Sequence, residues 1–244
     1  MNDVPVKSVR KALDLLSMLV FDDPGLGGLK LTVLAHQLGL PANTTHNLLK
    51  TMMACGYVEQ NEAGRYRPGP QCGRIGLLNT LQSDEFKQKL AEVLKRHASQ
   101  INEAMVFAAL HGGKRIVLAS SEPVSQFIRI DRQGVEKSDI YSLPTGRVLV
   151  AFAAPEDAVR IHAQYGGPGE KWPQYEADLA RIRKEKRCLM LPDRNGINSF
   201  AVPVITREGH LLGAVGCYAP AFRSGPAVRK KILAVLRSVA GELA

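Results

Sequence analysis

The sequence predicts two domains: an N-terminal winged helix-turn-helix, mainly α with a β-wing, joined by a linker helix to a larger α+β domain. Three observations predict it. The chain has 244 residues, more than one ordinary core needs and enough for one small and one larger domain. Two helical patterns separated by a glycine turn fill residues 32–50, and a hairpin pattern follows over 56–68. Beyond them, strand pairs near both ends enclose a helical middle, the order of an α+β domain with an antiparallel sheet. The expected boundaries are 1–70 for the winged helix, 71–83 for the linker helix and 84–244 for the second domain.

The first element is an amphipathic helix over Ser8–Val20, with Val9, Ala12, Leu13, Leu16 and Val20 at three- and four-residue steps. Asp22-Asp23-Pro24-Gly25 and the glycines at 27 and 28 break the chain. A short helix then opens with Thr32 as its expected N-cap and ends at a tight turn on Gly39. A second helix is entered through Pro41. Ala35 is small where the two would cross, and Leu34, Leu38, Leu40, Leu48, Leu49 and Met52 supply a shared core.

The second helix carries Asn43, Thr44, Thr45, His46, Asn47 and Lys50, short hydrogen-bonding groups and one cation. Such side chains suit base edges and phosphates in a major groove, and equally a solvated helix face. The hairpin after it, Gly56–Gln60 and Gly64–Pro68 around Asn61–Gly64, reads as a wing. Arg65 and Arg67 stand two apart on it, placed to reach DNA backbone.

Ile75, Leu77, Leu78 and Leu81 form an apolar stripe that fits a linker helix pairing two subunits, or one packed on its own domain. Asp84–Ile101 is a further amphipathic helix. Ala104–Leu110 and Ile116–Ser121 flank one hairpin turn, and Asn198–Val204 and Leu211–Tyr218 flank another. Helical patterns cover Thr145–Phe152, Pro155–Tyr165, Gln174–Lys186 and Ala227–Leu243.

Composition narrows the function. With 45% hydrophobic and 23% charged residues the chain reads as globular, not disordered. Residues 1–10 lack the apolar core of a signal peptide and segments such as 104–110 are too short for a bilayer, so a cytoplasmic protein with no membrane partner is expected. Cys55, Cys72, Cys188 and Cys217 are scattered without a CxxC pair, which predicts free, mostly buried thiols and no metal site. No cofactor motif occurs, and no nucleophile has a base at readable spacing, so no catalytic residue is assigned. An enzyme using Cys188 or Cys217 for redox or hydrolytic chemistry is the alternative from another class. A net charge of +9 fits a nucleic-acid partner. Yet residues 1–76 hold 8 Lys+Arg against 6 Asp+Glu, only +2, so DNA binding rests on pattern and not on total charge.

The order Leu-Ala-x-x-Leu-Gly-Leu-Pro, Asn-Leu-Leu-Lys-x-Met, Gly-Tyr-Val and Tyr-Arg-Pro-Gly resembles the N-terminal domain of the IclR family of transcriptional regulators. Leu143–Leu149, Ser199–Val204, Glu208-Gly209 and the stretch from Gly213 to Pro220 resemble motifs of its second domain. The resemblance covers about Val6 to Leu243. It implies a GAF/profilin-like effector-binding domain, and a dimer or dimer of dimers on palindromic operator DNA. It maps effector contacts to Pro144, Thr145, Gly146, Leu189, Asp193, Ser199, Gly216 and Tyr218, where the amides of a helix entry suit an anionic group.

Two departures bear on function. Asn47 stands where many members carry Arg, so the operator cannot be carried over. Ser199 stands where members binding small keto acids place Cys, and Gly216 and Tyr218 replace small hydroxyls. That exchange points to a bulkier effector, an aromatic or amphipathic organic acid, or to a tyrosine that fills the cavity. A DNA-binding dimer that needs no ligand is the remaining alternative.

Overall fold

The computed structural model describes residues 4–23, 25, 27–123, 139–167, 169, 172–192 and 196–244. The chain divides into two compact units, Met1–Thr80 and Leu81–Ala244.

The first unit is three helices and a hairpin: α1 (Lys7–Phe21), α2 (Leu31–Gln37), α3 (Ala42–Ala54), β1 (Val58–Gln60) and β2 (Tyr66–Pro68). Its core is Leu15, Met18, Leu19, Leu34, Leu49, Met52, Val58 and Tyr66. The α1 stripe expected from sequence is therefore only partly the buried one. Ala12 and Leu16 pack at the core edge, while Val9 and Leu13 remain 54% and 57% exposed. The helix is apolar on two sides, and periodicity alone does not say which side meets α2 and α3. Thr32 is likewise not the N-cap of α2; Lys30 holds that place without a side-chain cap and Thr32 lies in the first turn.

Gly39 adopts a φ of +60°, the left-handed conformation that lets the chain reverse between α2 and α3. Leu40 N–H closes the turn on the Ala35 carbonyl at 2.9 Å. The hairpin has Glu59 opposite Arg67 and Gln60 opposite Tyr66. Leu29 adds an antiparallel bridge to Tyr66, so the segment after α1 completes the wing as a third, one-residue strand. α4 (Pro70–Gln82) starts against the hairpin, with Gln71 N–H on the Gly56 carbonyl at 3.0 Å.

The second unit holds α5 (Asp84–Ile101), β3 (Ala104–His111), β4 (Lys114–Ser121), α6 (Pro144–Ala151), α7 (Pro155–Tyr165), α8 (Trp172–Glu185), β5 (Cys188–Met190), β6 (Ile197–Ile205), β7 (Leu211–Pro220) and α9 (Pro226–Leu243). The sheet order is β4-β3-β7-β6-β5, every neighbouring pair antiparallel. α5 and α9 pack on the sheet through residues such as Phe86, whose ring meets Phe107 edge-on at 6.0 Å. α6 lies on the other face, where Val148 and Leu149 join Ala108, Ala201, Ala214 and Cys188. Ser83 caps α5 by accepting from Phe86 N–H at 3.2 Å.

β5 was not expected from sequence. Three residues are too short to show alternation, and pairing with β6 alone makes them a strand. Of the four cysteines only Cys188 and Cys217 are buried; Cys55 is exposed and Cys72 partly so, which corrects the expectation of mostly buried thiols.

Candidate nucleic-acid interface and effector site

α3 is anchored by one side and open on the other. Leu49 and Met52 enter the core, and Thr45 is fully buried with its hydroxyl donated to the Pro41 carbonyl at 3.1 Å. Thr45 is thus a correction: it closes the helix entry and cannot meet DNA. Asn43, His46, Asn47 and Lys50 are exposed, and Thr44 is half-buried. Positions 43, 46, 47 and 50 recur at three- and four-residue steps and so share one face. Donors, acceptors and one cation are there presented together.

On the wing the two arginines have different local roles. Arg65 donates from Nη1 to the Gly28 carbonyl at 3.3 Å, and its backbone N–H meets Asn61 Oδ1 at 3.0 Å. Arg67 pairs with Glu59 directly across the ladder, Nε to Oε1 at 2.5 Å. Both side chains reach solvent.

In the second unit, Pro144 sits in the first turn of α6 and Thr145 is wholly buried behind it. The Thr145 Oγ1 accepts from Arg115 Nε at 3.0 Å, within the protein. Its methyl faces Gly216, where an added Cβ would come within 2.7 Å of it. Gly146 is pinned more tightly, because a Cβ there would lie 1.9 Å from the Ile140 carbonyl oxygen. Glycine at 216 therefore lets Thr145 of α6 lie against β7, and glycine at 146 lets α6 fold back against Ile140.

Tyr218 follows on β7, its ring half-buried and its hydroxyl sealed beside Thr145. Burial raises the Tyr218 pKa, while the charge of Arg115 acts in the opposite direction. Ser199 pairs directly with Tyr218, and Met190 with Ser199, so the three form a row across β5, β6 and β7. Thr145, Ser199, Gly216 and Tyr218 are thus gathered on one sheet face. Leu189 is not. It pairs with Phe200, next to Cys188 and Ala201 that pack toward α6, so alternation sends its side chain to the opposite face. Asp193 lies outside the described residues.

Arg115 was missed from sequence. It is only 3% exposed, yet it stands beside Thr145 and Tyr218 with its backbone N–H on the Tyr165 hydroxyl at 3.2 Å. One signal was available: Arg115 alternates with Val117, so a cation shares one strand face with an apolar residue. Near the sheet end a partly buried ion pair, Arg223 with Glu103 at 2.8 Å, ties the turn before α9 to the start of β3.

The family model of the IclR helix-turn-helix domain matches residues 8–62. The glycerol operon regulatory protein of Streptomyces coelicolor is 36% identical over 223 residues, covering 86% of this chain and 84% of that protein. The HTH-type transcriptional regulator XynR of Escherichia coli K12 is 28% identical over 226 residues, with 86% and 84% covered. The crystal structure of the Thermotoga maritima IclR aligns with a TM-score of 0.54 at 17% identity, covering 97% of both chains. An IclR transcriptional regulator from Alicyclobacillus acidocaldarius aligns at 0.54 and 20% identity, covering 98% of both. At such identities the structures speak to the fold alone.

Proposed function

The chain belongs to the IclR family of transcriptional regulators, and on that premise we propose that α3 reads operator DNA and that a small organic acid in the second unit modulates the binding. The observation that carries the first part is the exposed face of Asn43, His46, Asn47 and Lys50, held out by the buried Thr45, Leu49 and Met52. Asn is the side chain that pairs two hydrogen bonds with adenine in a major groove, and a lysine adds a phosphate contact. Arg65 and Arg67 extend the contact along the backbone from the wing. The stripe on α4, with Ile75 50% exposed, is a surface through which subunits pair. Residues 1–70, 71–83 and 84–244 act in this reading as reader, linker and sensor.

For the effector, the support is charge. The first turn of α6 offers the positive end of a helix, and Arg115 places a buried cation beside it. Both favour an anion. The ring of Tyr218 next to Ser199 gives the ligand an aromatic neighbour, so the effector is an organic acid with an aromatic or amphipathic body.

A catalytic reading has poor support. Burial pushes the Cys188 thiol up to about 11 and the Cys217 thiol well above its ordinary value, so neither supplies thiolate near neutral pH. A ligand-independent regulator has one observation in its favour, the close packing of Thr145 against Gly216 with the Tyr218 hydroxyl sealed beside them. Thermal shift and mobility shift on the DNA upstream of its own gene separate the two. We expect aromatic carboxylates to raise the Tm and change DNA retention in the wild type, and both responses to vanish in Arg115→Gln. If no acid moves either quantity, the effector reading falls and the ligand-independent one stands.

A further inference from the structure

The ion pair on the wing bears on how this chain separates its own site from other DNA. Glu59 and Arg67 face each other across β1 and β2, and their charged atoms meet at 2.5 Å. Directly opposed residues of opposite charge hold each other in place, and here the partner held is the exposed cation in the middle of β2. Around it, Gln60, Asn61, Glu62 and Ala63 line the same shallow recess, so a second carboxylate lies near the tip. The other wing arginine is turned back onto the Gly28 carbonyl. With only +2 over residues 1–76, the first unit has little excess charge to offset this arrangement.

We infer that Glu59 is a specificity-determining residue: it keeps Arg67 in an internal pair and so suppresses phosphate-driven, sequence-independent DNA binding. The inference rests on the reading of the hairpin as a DNA-contacting wing. Phosphate contacts supply nearly all of non-specific affinity and carry no sequence information. A phosphate that engages Arg67 must displace the Glu59 carboxylate and then lie beside it, like charge against like. The exposed pair is weak enough to be displaced, so the contact forms where α3 has already fixed the DNA and is disfavoured elsewhere. Discrimination thereby shifts to the hydrogen-bonding face of α3. Glu59 acts through Arg67 and is a positioning residue, not a contact.

The test needs no knowledge of the operator. Fluorescence anisotropy on a labelled duplex of arbitrary sequence, about one to three helical turns long, is followed against salt for wild type, Glu59→Gln, Arg67→Gln and the double variant. Glu59→Gln is expected to bind this duplex roughly 3- to 10-fold more tightly at low salt, with the log–log salt slope steeper by about one. Arg67→Gln alone is expected to change little, and the double variant to return to the wild-type slope. Both residues are partly solvent-exposed, and unchanged thermal melts confirm that the variants fold. If Glu59→Gln binds no more tightly, or more weakly, Glu59 does not suppress the contact and the inference is overturned. If Arg67→Gln also leaves binding to the DNA upstream of the protein's own gene unchanged at every salt, the wing does not touch DNA and the underlying reading fails.

Discussion

The polar groups of α3 and those beside α6 are the same kinds of side chain put to opposite use. Asn43, His46, Asn47 and Lys50 stand in water, held out by the buried Thr45, Leu49 and Met52 on the other side of the helix. Thr145, Arg115 and the Tyr218 hydroxyl are buried inside the sheet unit, with Thr145 held by Arg115 and by a glycine at 216 where an added Cβ would meet its methyl. The difference teaches where a substitution is felt. An exposed face gives up function without stability, whereas an enclosed one couples the two.

The sharpest way to break that contrast is Gly146→Ala. Its Cβ cannot be accommodated without moving the Ile140 carbonyl, so a loss of about 1–3 kcal/mol is expected, lowering the Tm by several degrees. Asn47→Ala on α3 should cost less than about 0.5 kcal/mol by the same melt while weakening sequence-specific DNA retention. Equal losses of stability in the two variants would erase the distinction.

A smaller effect sharpens the picture of the sheet unit in acid. Glu242 on α9 accepts from His97 at 2.7 Å, which holds its carboxyl below the usual 4.5, with the charge of Arg96 acting in the same direction and burial against it. A carboxylate whose pKa is lower folded than unfolded contributes stability above the unfolded value and loses it as pH falls through the folded one. Wild type should thus lose part of its stability below about pH 4.5, and Glu242→Gln should lack that part, by a modest amount because Glu242 is partly exposed. Chemical denaturation followed across acid pH reads it, and parallel curves for the two proteins would remove Glu242 from the account.

The same contrast explains what the sequence disclosed. α5, α7 and the two hairpins β3–β4 and β6–β7 were legible because spacing within one segment decides them, as the exact span of α5 shows. The exposed face of α3 was legible for the same reason, with Thr45 the exception because its hydroxyl finds a carbonyl four residues back. Arg115 was not, since its meaning depends on Thr145 thirty residues away and on which face of β4 turns inward. Leu189, assigned by the resemblance alone, turns to the opposite face because its pairing with Phe200 is set by the partner strand. Val9 and Leu13 on α1 failed because a helix apolar on two sides carries no label for the buried one.

The central claim is that DNA is met by α3 and its wing and not by the more basic second unit. Lys50 is exposed on α3, whereas Arg183 on α8 donates from Nε to the Ala151 carbonyl at 2.6 Å. The salt dependence of binding to the DNA upstream of its own gene tests it directly, for wild type, Lys50→Ala and Arg183→Ala. Lys50→Ala should flatten the log–log slope by about one and weaken binding several-fold, with Arg183→Ala matching wild type. An equal loss of slope in Arg183→Ala would place the interface on the second unit and contradict the account.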